Sequence, residues 1–135
     1  MSAGYLPDTP VFVDMSKGRR LSPRVRALLN DPTADLRLSV VSIVEMCIKA
    51  NLGKLALPAA IATDPARGFQ DTADKVGFCL LPLELRHAAQ LPGLPMHYKD
   101  PFDRLLICQA MAEDLILVSD DSAFPLYSGL ALLRS

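Results

Sequence analysis

The chain has 135 residues, half of them hydrophobic, with a mean hydropathy of +0.24 and a formal net charge of −1. Those values predict one domain spanning residues 1–135 with enough apolar material for a core, and they exclude intrinsic disorder. Apolar runs such as LILV fall far short of the ~20 residues a bilayer span needs, and near-neutral charge offers no global attraction to nucleic acid.

In chain order, MSAGYLPDT has neither a basic region nor a continuous apolar stretch of the signal-peptide kind, so the expectation is a cytoplasmic protein. GYLPDT opens with a short apolar piece, and Pro10 stands where a first helical turn could begin. The segment from Lys17 to Arg26, KGRRLSPRVR, carries five basic residues and no acid. It reads either as a solvated loop and helix face or as a patch that contacts phosphates. Within it LSPRVRALLNDP predicts a helix, with Ser22 at the N-cap, Pro23 in the first turn, and an end before Pro32. LRLSVV predicts a strand from Leu36 to Ser39 or slightly beyond. SIVEMCIKANLGKL predicts a second helix with Gly53 just past its end.

Helical material after Pro58 should break near Asp64 and resume to about Val76. FCLLPL then reads as a buried strand and ELRHAAQL as a short helix. PGLPMHYK reads as a loop, because Pro92, Gly93 and Pro95 oppose regular structure. Asp100 caps a longer helix with Pro101 in its first turn, continuing to about Glu113. LILVS is a strand, DDSAF a turn or short helix, and LALLR a last short strand. Cys47, Cys79 and Cys108 each sit inside an apolar run without metal-like spacing, and they read as reduced core residues.

Strands alternating with helices imply crossover connections and a parallel sheet of four or five strands. In such folds ligands bind at the edge where the strands end. Asp8 follows the first strand and Asp120 and Asp121 follow LILVS. Glu45, Asp100 and Asp103 lie in first turns of helices, so all six should face that edge. Each has a structural reading: Ser42 and Glu45 as a capping box, Asp100 as an N-cap with Asp103 favouring the helix dipole, SDDS as a turn. Together they would repel one another unless a cation sits among them. Oxygen ligands of this kind suit Mg²⁺ or Mn²⁺, and the chemistry that uses such a site is phosphodiester hydrolysis. The chain has only two histidines. His87 reads as a surface or packing residue, and His97 either as a plain loop residue or as one that touches substrate. Glycine-rich phosphate loops are absent, and no serine pairs with a histidine in a recognisable pattern.

The order of DT after the first strand, SxxE opening a helix, HYKDPFDRLLICQA and LVSDDSAF resembles the PIN-domain ribonucleases, and most of all the VapC-like toxins of prokaryotic toxin–antitoxin pairs. The likeness runs from Asp8 to about Leu133, and DPFDRLLI followed by LVSDDSAF is its most specific part. It implies a PIN-like three-layer α/β fold. It also implies a metal site of Asp8, Glu45, Asp103 and Asp121, with Asp100 as an additional family acid. Asp121 matches the family aspartate because it stands three residues before Phe124. Asp120 adds charge, and Ser42 and Ser119 match positions that support the acids by hydrogen bonding. Asp14, after VFV, is an alternative first ligand that fits the spacing to LSP less well than Asp8.

The resemblance implies a Mg²⁺- or Mn²⁺-dependent endoribonuclease, a homodimer and a VapB-like antitoxin. Lys17, Arg19, Arg20, Lys99 and Arg104 are candidates for contacts to the RNA backbone. Pro7, directly before Asp8, departs from the family pattern and favours a second reading, a PIN-like binding or scaffold protein without catalysis. A third, a phosphatase acting on small phosphate esters, uses the same metal chemistry.

Overall fold

A computed structural model describes residues 3–97 and 99–135. Its centre is a parallel sheet of five strands: β1 (Gly4–Pro7), β2 (Asp35–Ser39), β3 (Phe78–Leu81), β4 (Leu115–Val118) and β5 (Leu132–Leu133), in the spatial order β3-β2-β1-β4-β5. The apolar alternation of the strands divides their side chains between two faces. Leu36, Leu38, Phe78 and Val118 pack with Val11, Phe12, Met15, Met46 and Phe69 on one side. Leu6, Leu81, Leu115 and Leu117 pack with Leu106, Ile107 and Phe124 on the other. Burial on both faces is what a parallel sheet covered by helices demands, and it makes this a three-layer α/β fold.

The helices arise where their capping signals stand. Asp8 caps α1 (Thr9–Lys17) by accepting from the Val11 N–H at 3.0 Å. Ser22 caps α2 (Pro23–Asn30) as its sequence suggests. The next helix departs from expectation. α3 (Val40–Asn51) begins directly at the end of β2, with Ser39 as the N-cap accepting from Val41 N–H. The Ser42–Glu45 capping box therefore does not form: Ser42 already lies inside the helix, buried, and its hydroxyl faces Thr9. Gly53 follows the helix with φ +73, the left-handed geometry its position predicts.

α4 (Ala59–Thr63) and α5 (Pro65–Val76) are separated at Asp64, whose side chain starts the second by accepting from Arg67 N–H. α6 (Leu85–Ala88) is a single turn, and the loop after it carries one 3-10 turn at Leu91–Gly93. α7 (Pro101–Ala112) is capped by Asp100. The turn after β4 passes into a 3-10 turn at Phe124–Leu126. Cys108 is buried and Cys47 half-buried, but Cys79 is exposed, because β3 is an edge strand and alternation points this residue outward. No helix among the described residues is long and apolar enough to cross a membrane.

β1 is the central strand, so Pro7 tests the sheet directly. Asp8 N–H donates to Val118 O at 2.9 Å, and successive N–H groups of a strand alternate sides, so the missing Pro7 donor falls on the β2 side. The pairing follows suit: β1 runs with β4 through Pro7 but with β2 only over Gly4 and Tyr5. Pro7 opens the β1–β2 seam at its carboxyl end and leaves Asp8 anchored to β4.

The α4–α5 corner depends on Gly68, whose position would bring a Cβ to 2.6 Å from Ile61 Cα and 2.8 Å from Ala60 O. Both neighbours belong to the backbone and cannot swing away. Gly68→Ala should lower stability by about 1–3 kcal/mol in urea unfolding, although alanine is the better helix former.

Candidate metal-binding carboxylate site

The carboxyl ends of β1, β2 and β4 lie side by side, and the residues that follow them build the site. Asp8 is buried at the start of α1. One of its oxygens accepts from Val11 N–H and the other from the Ser119 hydroxyl. Ser119, immediately after β4, also accepts from Asp121 N–H at 3.1 Å. A single buried hydroxyl thus couples the turn that carries Asp121 to the carboxylate at the end of β1. Asp121 is exposed and is steadied by Ala123 N–H, which donates to its Oδ1 at 3.0 Å. Asp120 points elsewhere: its two oxygens take the backbone N–H and the hydroxyl of Ser135.

Glu45, one turn into α3, is only 6% exposed. Thr9 Oγ1 donates to Glu45 Oε1 at 2.7 Å and lies 3.0 Å from Ser42 Oγ. Lys49 Nζ sits 2.6 Å from Glu45 Oε2. Asp103 comes from α7, whose position is set by a buried amide. Gln109 takes the Ser39 hydroxyl on its Oε1, while its Nε2 donates to Pro82 O at 3.3 Å. The ends of β2 and β3 are thereby tied to α7, fixing Asp103 opposite α3. Asp100 spends one oxygen on Phe102 N–H and the more distant Asp103 N–H.

Electrostatics shows the convergence. Burial pushes the Asp103 carboxyl up to about 7, and the charges of Asp100, Glu45, Asp8 and Asp121 push in the same direction. Asp8 is raised to about 6, first by burial and further by Asp120 and Asp121, against the opposing pull of Ser119 and Val11 N–H. Four other acids, three of them distant in sequence, thus act on one carboxyl. Like charges gathered in a poorly solvated place favour protonation, and a divalent cation is the partner that reverses this. The donor set, carboxylate oxygens with no thiolate or imidazole among these acids, fits Mg²⁺ or Mn²⁺.

The candidate cations are placed less uniformly. Arg19 and Arg20 are exposed after α1, and Lys17 ends that helix. Arg104 donates to the carbonyls of Pro95, Leu94 and Leu91, so it holds the loop before α7. Lys99 is exposed, and Asp14, half-buried, pairs with Arg19. His97 is an exposed loop residue packed edge-on against Tyr127.

Among the described residues, the one group of acids and histidines whose ligand atoms lie within 4.8 Å of one another is Glu84, His87 and Glu113; Asp8, Glu45, Asp103 and Asp121 stand further apart than that. The chemistry argues against an ion at the closer group. His87 is fully buried and its Nδ1 accepts from Glu84 N–H at 3.0 Å, so the proton resides on Nε2, 3.4 Å from Glu113 Oε1. That nitrogen has no lone pair for a metal, and the separation is too long for a good hydrogen bond. Arg86 already occupies both glutamates, donating to Glu113 Oε2 at 2.7 Å and to Glu84 Oε1 at 3.3 Å. The group is an ion-pair lock between α6 and the end of α7.

Thr9, Gln109 and Lys49 are the residues that sequence reasoning missed. Gln109 had a visible signal, one amide within the apolar run LLICQAM. Lys49 stands four residues after Glu45, the helical spacing of ion pairs. Thr9 lies beside Asp8, but its contact with α3 is tertiary.

The family model for the PIN domain matches residues 5–130, and the chain belongs to the PIN-domain family. No curated protein matches it in sequence. Solved structures match it in fold. A chain of VapBC2 from Rickettsia felis bound to a promoter DNA fragment has a TM-score of 0.68 at 15% identity, over 97% of this chain and 98% of that one. FitAcB from Neisseria gonorrhoeae gives 0.64 at 19%, over 96% of each chain. VapBC-5 from Mycobacterium tuberculosis, a member of the VapBC family of toxin–antitoxin systems, gives 0.60 at 19% over the whole of both.

The raised carboxyls have a consequence for stability. In the unfolded chain both groups titrate near 4, but in the fold Asp8 and Asp103 hold their protons to about 6 and about 7. Their protonation stabilises the fold fully below the unfolded value, and this contribution is lost as pH rises through the folded values. Glu113 and Asp31 are shifted the other way, and their window lies at more acidic pH. Thermal unfolding in EDTA should therefore give a midpoint that falls between about pH 5 and pH 8. Asp103→Asn should flatten that fall and raise the midpoint at the alkaline end.

Proposed function

We propose that this chain is a metal-dependent endoribonuclease and the toxin component of a toxin–antitoxin pair. The observation that carries the reading is the convergence of Asp8, Glu45, Asp100 and Asp121 on the Asp103 carboxyl, a charge arrangement that an apo protein gains nothing from keeping. Asp8, Glu45, Asp103 and Asp121 would hold Mg²⁺ or Mn²⁺. When bound, the ion supplies positive charge against a phosphodiester and a more acidic water.

The chain's own groups orient and hold. Ser119 and the α1 N-terminus fix both oxygens of Asp8, and Thr9 and Lys49 fix both oxygens of Glu45. Carboxylates held this way keep their geometry without reorganising when substrate arrives. Asp100 and Ser42 support the cluster, Asp100 by starting the helix that carries Asp103, while Asp120, bonded to Ser135, adds only its charge. Lys17, Arg19, Arg20, Lys99 and Arg104 are the proposed contacts to the RNA backbone, which an acidic pocket would otherwise repel.

PIN domains in general are nucleases, and the similar solved structures are described as VapBC and FitAB complexes, which supports a small VapB-like antitoxin as partner. Its binding would place a basic side chain against the acids. A homodimer completes the reading, supported by Val44 and Ile48 on α3 and Leu52 at its C-cap, large apolar residues that are exposed one turn apart.

Cleavage of a labelled single-stranded RNA by the purified chain tests the proposal. Activity should require Mg²⁺ or Mn²⁺, vanish in EDTA, and fall in Asp103→Asn by more than the ~10–100-fold that changes around metal ligands cause. Cleavage that survives both the chelator and the substitution would sink the metal mechanism. A folded, ion-binding chain that cleaves no RNA would point to a scaffold, and turnover of a phosphomonoester in preference to RNA would point to a phosphatase.

A further inference from the structure

Beside the acids lies a surface of opposite charge. A cleft of about 250 Å³ is lined by Thr9, Asp14, Arg19, Arg20, Lys49 and Lys54, together with a few apolar side chains. Arg19 and Arg20 come from the turn after α1, and Lys49 and Lys54 from the end of α3 and the turn beyond it. Four cations thus face one carboxylate, and that carboxylate only touches Arg19 at 3.4 Å across an exposed gap. Among the described residues, Arg20 and Lys54 have no carboxylate partner.

Two features make this a built cleft. Arg20 holds φ +58, two residues after Gly18 at φ +64. The left-handed geometry is unfavourable for a residue with a Cβ, and here it belongs to a turn that delivers two guanidinium groups to one cleft. On the facing wall, Lys54 N–H donates to Lys49 O at 2.8 Å, so the turn after α3 folds back and brings both lysines together. Lys17 lies instead on a separate apolar cavity with Phe12, Met46 and Leu57.

Two residues join the cleft to the acids. Thr9 lines it and donates to Glu45, and Lys49 lines it and pairs with Glu45. A cation-rich concavity beside a carboxylate cluster focuses the field on an anion that spans both. We propose that this cleft is a phosphate subsite for the RNA strand, holding a backbone phosphate adjacent to the one at the carboxylates. The inference rests on the nuclease reading and adds Lys49 and Lys54 to it. Lys49 serves two purposes, positioning Glu45 and marking the boundary between pocket and subsite. Arg20 and Lys54 supply the unpaired charge.

The test measures binding without turnover. Fluorescence anisotropy would follow a labelled pool of random single-stranded RNA on the full chain carrying Asp103→Asn, across a range of KCl. Adding Arg20→Gln and Lys54→Gln should weaken binding about tenfold and lessen the salt slope by about 0.7, the contribution of the one phosphate the cleft holds on a single strand. The control pair Arg67→Gln and Lys75→Gln, exposed on α5, should leave the slope unchanged. In the cleaving protein the Arg20/Lys54 pair should raise KM far more than it lowers kcat. Equal losses from the two pairs, or an unchanged slope from the first, would overturn the subsite and leave the nuclease reading intact. Inorganic phosphate that competes better than chloride at matched ionic strength, with the RNA slope unaltered, would assign the cleft to a free anion and also overturn it. Loss of antitoxin binding with RNA binding preserved would assign it to a protein partner. No RNA binding by the Asp103→Asn chain at low salt, joined to no cleavage by the unsubstituted one, would remove the nuclease reading itself.

Discussion

The governing constraint is repulsion between carboxylates kept close together in partly desolvated surroundings. Asp103 feels four other acids, and burial raises its carboxyl still further. A fold that tolerates such a concentration must hold it by other means. Here those means are specific hydrogen bonds from Ser119 and Thr9, one ammonium from Lys49, and a sheet whose carboxyl edge presents the acids from separate strands and helices. The packed core on both faces of the sheet supplies the rigidity that keeps them from moving apart.

Polar side chains buried behind the site carry the alignment. Ser39 ends β2, caps α3 and donates to Gln109 of α7. Removing any member would leave an unsatisfied polar group in the interior, so the set acts as a unit. Ser119 plays the corresponding part between β1 and β4, bonding Asp8 and receiving Asp121 N–H. The acids therefore inherit their spacing from strand order and from two serines. The same logic explains why Pro7 is tolerated in a central strand: its missing donor lies toward β2, and the bond that anchors Asp8 lies toward β4.

The charge pattern has a second level. Acids occupy the edge of the sheet, and the turns after α1 and α3 hold cations next to them. The small net charge of −1 conceals this division. Segregated charge of both signs within a short distance suits a polyanion whose reacting phosphate needs a metal and whose neighbouring phosphates need direct cationic contacts. The Glu84–His87–Glu113 group shows the contrast, because Arg86 is already built in as its cation and no outside ion is required.

Much of this was readable from local signals. Alternation of short apolar strands with helices gave the parallel sheet, the caps at Asp100 and Ser22 stand where they were expected, and Gly53 adopts the left-handed turn its place implies. These depend on neighbours in sequence, which is why the sequence by itself determined the element types and the edge on which the acids fall. The capping box at Ser42 was misread because a serine followed three residues later by glutamate looks the same whether or not the helix has already begun; packing against β2 started α3 at Val40. Cys79 was misplaced because an apolar run does not reveal that its strand lies at the edge. Only the tertiary structure decided that Thr9 meets Glu45, that Gln109 meets Ser39, and that Lys49 and Lys54 share a cleft with Arg20. Such contacts join residues far apart in the chain, and strand order and helix packing bring them together.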